Sequence, residues 1–400
     1  MNFLNPDLLA ASCTKLLHRA LKTDTNQQHM TISERRQFDL GSGEQTNIDE
    51  YQRYVLLFNL ENWYSQLADI TFPTQVLELS RQDGHALKDC YDRIKEHNVH
   101  IDESHTFQCY NQLEASIPNC SLENGDGYFV KTSCRSAKDY ADLDNLRSVF
   151  SQALISISGS GSSPFQSHSE NIKMIAMSYA SMELLKMRSA KQVLQNFMRS
   201  ERIWHDMHLA LAHSASNWNE SIVVRQWVNI EPDMEFRCFV CSGKLTAISQ
   251  YRHLIYFPRL HKNEVYLKHV MTQFLEVTII AKLQGLFRRD DYVIDLALEL
   301  NHNDNKNKNT CSCLEEVSLE GQIKKMWAVE VNPFYETTDA CMFSWSTDAT
   351  VLMPPTVTMS GEQDEVERRY EDVDLRIRHS PAMGCSSLIY GAWKNIMDEV

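Results

Sequence analysis

Apolar and polar positions along this chain recur with two different periods. Tyr51, Tyr54, Val55, Phe58, Leu60 and Trp63 fall at helical spacing and predict a helix running to Leu67. The same spacing predicts helices at Leu8 to Leu21, at Asp89 to Glu96, around Leu143, Leu146, Val149 and Phe150, at Ile172 to Met187 and at Ala190 to His213. Most of Leu254 to Leu286 joins them, with Val270, Phe274, Val277, Ile280 and Leu283 as its apolar stripe. Runs of period two, rich in β-branched residues, predict strands. These are Ile70 to Leu79, Tyr128 to Thr132 after the Gly125-Asp126-Gly127 turn, Ser221 to Ile230, Met234 to Val240, Lys244 to Tyr251 after the Ser242-Gly243 turn, Tyr292 to Leu300, Trp327 to Phe334 and Val373 to Arg378.

Two of these strands carry more than a core pattern. Side chains alternate faces in a strand, so Glu330 and Asn332 point one way while Val329 and Val331 point into a core. On the other strand Asp295 and Glu299 share a face, opposite Ile294, Leu296 and Leu298. If the two strands pair antiparallel, three or four oxygen donors converge on one patch. Mg²⁺ keeps few protein ligands and completes its octahedron with phosphate oxygens, so this density of hard oxygens suits a magnesium nucleotide. Asp295, Glu330 and Asn332 are the expected metal ligands. A lone Glu-x-Asn on a half-exposed strand has the plainer reading of solvated polar groups, and the strand pairing is what separates the two.

Cations are placed to complement such a site. Lys131 ends a short strand that turns toward a helix, one way to hold an ammonium over phosphates, and Arg135 and Lys138 add to the field. Arg225 and Arg237 lie within strands that otherwise look buried, so each requires a partner, either a ligand or an acid such as Glu235. Ser156 to Ser163 lacks the terminal Gly-Lys-Ser/Thr of a phosphate loop and is expected to be a connector. His205, His208 and His213 lack a zinc-helix glutamate. Cys238 and Cys241 face opposite sides of a strand and its exit, with no second pair at zinc spacing.

The chain has 400 residues, 43% apolar, and a formal net charge of -14, which argues against general nucleic-acid or anionic-membrane binding. It has no long apolar run, and Asn5 and Asp7 stand where a secretion signal needs a basic flank. Eleven cysteines, an odd count without framework spacing, suit reduced thiols. A cytoplasmic protein is expected. Four segments are anticipated: a mobile amino-terminal stretch with a short helix (1–50), an amino-terminal lobe with a helical connector (51–220), a carboxy-terminal lobe (221–380) and a terminal helix (381–400).

Several stretches resemble the cell division cycle protein 123 family. They are Arg225-Gln-Trp227, Met234-Glu-Phe-Arg-Cys-Phe-Val240, Leu245-Thr-Ala-Ile-Ser-Gln250, Asp295, Glu330-Val-Asn-Pro-Phe334 and Thr338-Asp-Ala-Cys-Met-Phe-Ser-Trp345. Asn62-Trp-Tyr64, Thr71-Phe-Pro-Thr74 and Phe129-Val-Lys131 to Asp139 extend the likeness toward the amino terminus. The resemblance implies an α+β, ATP-grasp architecture, in which two lobes clamp a nucleotide between mainly antiparallel sheets. It implies ATP contacts from Lys131, Ser133, Arg135 and Arg237 and, along the adenine edge, from Arg225, Gln226, Trp227, Val228 and Asn229, with ATP and Mg²⁺ as cofactors. It further implies an assembly chaperone for translation initiation factor 2 acting through the gamma subunit, without contact to nucleic acid or membrane. An ATP-grasp ligase or kinase on an unidentified substrate is the alternative, since no acceptor group can be named. Glu330 stands where the family usually has Asp, and Ser133-Cys134 replaces its usual Asn-Trp.

Overall fold

The protein is described here by a computed structural model covering residues 54–97, 104–117, 127–140, 142–158, 169–212, 218–301, 312–354, 373–382, 384 and 392–399. The expected segment 1–50 with its helix, His213 and residues 302–311 lie outside the described residues.

The first half contains α1 (Leu60–Leu67), β1 (Thr74–Glu78), α2 (Arg81–His97), α3 (Tyr110–Ser116), β2 (Tyr128–Thr132), α4 (Leu143–Ser158), α5 (Glu170–Glu183), β3 (Lys186–Met187), α6 (Ala190–Phe197), α7 (Glu201–Ala212) and β4 (Ser221–Gln226). The second contains β5 (Glu235–Cys241), β6 (Lys244–Gln250), α8 (Pro258–Lys262), α9 (Glu264–Phe274), a π turn (Leu275–Ile280), α10 (Ala281–Leu283), β7 (Tyr292–Leu300), β8 (Ile323–Pro333), α11 (Ala349–Leu352), β9 (Asp374–Arg376) and α12 (Ala392–Glu399). The fold is α+β. One sheet has the order β1-β4-β2-β3 and the other β8-β7-β5-β6-β9, with every pairing antiparallel except β6 with β9. β4 begins at residue 221, yet it is an inner strand of the first sheet. Among the described residues no helix is long and apolar enough to cross a membrane.

Several helices differ from their sequence pattern for physical reasons. α2 starts eight residues earlier than expected, because Ser80 and Asp83 form a capping pair: the Asp83 N–H donates to Ser80 Oγ and the Ser80 hydroxyl donates to Asp83. Its Gly84 admits the Trp218 ring, since a Cβ there would lie 2.4 Å from the indole. Ser156–Ser158 of the expected connector close α4. The helix expected through Met187 stops at Glu183, and Lys186–Met187 pair with β2 instead. From α9 to α10 the buried apolar positions are Leu267, Met271, Leu275, Ile279 and Leu283, whereas Val277 is 70% exposed. A spacing of four drifts around an α-helix of about 3.6 residues per turn, and the wider π turn compensates for that drift.

Alternation assigns the sheet faces. In the first sheet Ile222, Val224 and Val130 cover one core with α2, α3 and α6, while Val223, Arg225 and Lys131 face the second half of the chain. In the second sheet Phe236, Cys238, Ile294, Leu296 and Val331 enter the main core, which the long helical stretch covers. Phe239, Ala247 and Val293 take the other face, in a small core with Phe334 and Phe343. Cys238 is therefore interior and Cys241 borders the opposite core, so the pair cannot share a cation; no disulfide joins the described cysteines to one another.

Candidate functional site

The site forms where the polar face of the second sheet meets Lys131 of the first. β7 and β8 pair antiparallel, with Asp295 opposite Glu330 and Val293 opposite Asn332. β5 pairs with β7 on its other edge and sets Arg237 opposite Asp295. The guanidinium grips that carboxylate with two bonds, Nε to Oδ1 and Nη2 to Oδ2, each 2.8 Å. Its acid therefore lies across the ladder rather than at Glu235 on its own strand. Asn332 Nδ2 donates to Asp295 Oδ2 at 3.3 Å, and the Lys131 ammonium donates to Glu330 Oε1. Lys131, Arg237, Asp295, Glu330 and Asn332 are thereby brought into one place. Glu299 is not among them: it accepts from Lys324 Nζ at 2.6 Å and from the Trp327 indole N–H at 3.0 Å, so three oxygen donors converge rather than four.

A bulge explains how β8 serves both the site and the join between the sheets. Asp295 pairs with Glu330 but Leu296 pairs with Ala328, so Val329 has no partner in the ladder. Its carbonyl turns to Arg225, which donates from Nη1 at 2.6 Å. Val329 is half-buried and packs against the main core, as alternation predicts, although it is the bulged residue. Arg225 also donates to Thr71 Oγ1 at 2.6 Å and stacks over Phe72, while Thr71 forms a parallel bridge with Ala328. Arg225 thus joins the first sheet to β8, although its Nε is sealed without a partner and its charge still reaches Glu330.

The remaining expected ligands flank this network. The Ser133 hydroxyl donates to Glu61 and accepts from the Ser221 N–H at 2.8 Å. Arg135 is engaged by Asp206 of α7, its Nε lying 2.9 Å from each carboxylate oxygen. Gln226 and Asn229 are exposed, and Val228 packs on the main core. The Trp227 ring lies under Lys186, with its Nε1 sealed from solvent and without a partner.

Electrostatics supply what the motifs left out. Burial opposes ionisation of Glu330, but Lys131 and Lys138 outweigh it and hold the carboxyl down to about 2. Burial pushes Asp295 up, against the pull of Arg237. Among the described residues the Lys138 ammonium makes no hydrogen bond or ion pair, yet its charge bears on Glu330 and Asp295. Arg252 is 7% exposed and has two sealed donors, Nε and Nη1, without partners, and the Nε of Arg202 is likewise sealed and unpartnered. Buried guanidinium donors left unmade are costly unless a ligand meets them. Sequence reading missed Arg252 and Arg202: one lies just past a strand end, the other on a helix face that looks solvated.

Behind the Ser133 loop, Glu220 is 4% exposed. Burial, with Asp206 and Glu61 nearby, raises its carboxyl to about 8. A raised carboxyl contributes stability below its ordinary 4.5, and that contribution is lost as pH rises through about 8. Glu220→Gln is therefore expected to be more stable than the parent above pH 4.5, by a margin growing about 1.4 kcal/mol per pH unit until about 8. Urea unfolding at a series of pH values checks this.

The D123 family profile matches residues 176–385. The chain is 26% identical over 166 residues to the "Translation initiation factor eIF2 assembly protein" of Danio rerio, covering 40% of each chain. It is 25% identical over 203 residues to that of Xenopus laevis, covering 49% of this chain and 52% of the other. It is 24% identical over 207 residues to "Cell division cycle protein 123" of Phaeosphaeria nodorum, covering 50% and 45%. The chain thus spans about half the length of the curated relatives it matches. A superposition on Cdc123 from Schizosaccharomyces pombe has a TM-score of 0.47 at 19% identity, covering 82% of this chain and 98% of that one. With the family profile matched over more than half of its residues, the chain belongs to the D123 family.

Proposed function

We propose that this protein is an ATP-grasp-type clamp that binds Mg²⁺-ATP between its two sheets and serves in the cytoplasm as an assembly factor for translation initiation factor 2, acting through the gamma subunit. One observation carries the nucleotide half: converging Asp295, Glu330 and Asn332 oxygens face a lysine from the other sheet, with the charge of Lys138 bearing on both carboxylates. Oxygens without the cations would suit a bare divalent ion. The two together suit a cation carried with phosphates, because Mg²⁺ takes one or two carboxylates and fills its shell from the substrate. Asn332 Oδ1 and the two carboxylates would hold the ion. When bound, it would neutralise phosphate charge.

This chain's own residues would then do the positioning. Lys131 would exchange Glu330 for a phosphate oxygen, drawing the first sheet toward the second. Arg237 holds Asp295 fixed in direction. The client half rests on family membership and on the names its relatives carry. Asn332→Ala is the mild test, since that side chain's one hydrogen bond here is to Asp295. Calorimetry is expected to give at least about tenfold weaker Mg²⁺-ATP binding, or about 1.4 kcal/mol; equal affinity would remove the metal assignment. Purified gamma subunit should be retained by the immobilised chain, and its passage unretained would remove the client.

A further inference from the structure

Beyond the strand-borne oxygens a second and chemically different donor set stands on the same sheet. His253 follows the end of β6, while Asp339 and Cys341 lie in the loop after β8. One ligand atom from each comes within 4.8 Å of the others. All three residues are half-buried. Asp339 has an oxygen to spare: Oδ1 accepts the Cys341 N–H at 2.9 Å, whereas Oδ2 is sealed from solvent and has no hydrogen-bond partner. Cys341 sits at φ 57°, a left-handed conformation that L residues seldom adopt. Its thiol has only a 3.8 Å contact to the Tyr251 carbonyl.

We propose that His253, Asp339 and Cys341 form a binding site for a borderline divalent cation of the Zn²⁺ class, separate from the hard-oxygen site. Imidazole nitrogen and thiolate sulfur select against Mg²⁺ and Ca²⁺, which require oxygen shells, and favour zinc-like ions. Three protein ligands leave a fourth position open to water or to a partner's side chain. Binding exchanges the thiol proton for the ion, and the proton leaves to solvent. The two sites share one support: Arg237 donates from Nη1 to the Asp339 carbonyl at 2.7 Å while its other nitrogens hold Asp295. An ion here would tie the 339–341 loop to the end of β6 and brace the arginine that orients Asp295.

Cobalt is the probe, because a thiolate-bound Co²⁺ shows a charge-transfer absorption in the near ultraviolet that oxygen ligands do not give. The full-length chain, stripped with chelator, is titrated with CoCl₂. The expected result is saturation at one ion per chain with that band, bleached by added Zn²⁺. Cys341→Ser should abolish the band, and Asp339→Asn should weaken binding at least about tenfold. The asparagine retains the oxygen that accepts the Cys341 N–H, so this variant keeps the turn and decides the matter if the serine variant fails to fold. His379→Ala, in the separate cluster of His261, Glu264 and His379, should leave the band unchanged. No thiolate band in the parent, a band persisting in folded Cys341→Ser, or unaltered affinity in Asp339→Asn would overturn the site.

Discussion

Asp295→Ala is expected to destabilise the protein by about 3–5 kcal/mol, seen as a lower midpoint in urea unfolding at neutral pH. Asp295 and Arg237 are 5% and 6% exposed, and both guanidinium-to-carboxylate bonds lie between strands inside the sheet. Removing the carboxylate leaves a guanidinium that water cannot reach and that retains the Asp339 carbonyl as acceptor. The cost is chiefly that unpaired charge, not the worth of the pair. Asp295→Ala combined with Arg237→Met should therefore recover most of the loss, because no ion remains buried alone. A loss below about 1 kcal/mol, the range of surface pairs, would show that solvent reaches the pair after all. The same reasoning makes Asp295 a poor residue for testing nucleotide binding, and it is why the smaller change at Asn332 is the better probe.

That pair also shows how far local pattern reaches. Alternation is a local property, so it brought Asp295, Glu330 and Asn332 to one face and left Ile294, Leu296 and Val331 on the other. It holds only up to a bulge. The extra residue at Val329 resets the parity of β8, and Glu299, though on the same face of β7 as Asp295, is engaged farther along by Lys324 and Trp327. Arg237 was recognisable as a buried cation in need of an acid, but its partner is 58 residues away and is chosen by strand register. Arg225 is the harder case. Its neighbours, Thr71 and Val329, come from opposite ends of the chain, and no spacing in the sequence announces a guanidinium used as a cross-sheet tie. The π turn left a trace in the four-residue interval from Leu267 to Leu283, a period too long for an α-helix.

Lys131→Met is expected to weaken Mg²⁺-ATP binding at least about 100-fold, or about 2.7 kcal/mol, by calorimetry. Lys131 is 5% exposed and spans the gap between the sheets to Glu330, so its loss would remove the attraction that draws the halves together and, on the proposed reading, a phosphate contact as well. In the free protein the pH dependence reads the attraction to Glu330 by itself. Glu330 is depressed from 4.5 to about 2, so its stabilising contribution is present above about 4.5 and is lost as pH falls through about 2. Lys131 and Lys138 are the principal causes of that depression, and without Lys131 the Glu330 carboxyl moves back toward 4.5. The stability difference between parent and Lys131→Met should accordingly be greatest above pH 4.5 and shrink toward pH 2. A difference independent of pH across that window would mean that Lys131 stabilises the protein through its packed methylenes rather than through Glu330. A nucleotide affinity unchanged in Lys131→Met would show in turn that the ion pair is a permanent strut between the sheets and not a latch that phosphate opens.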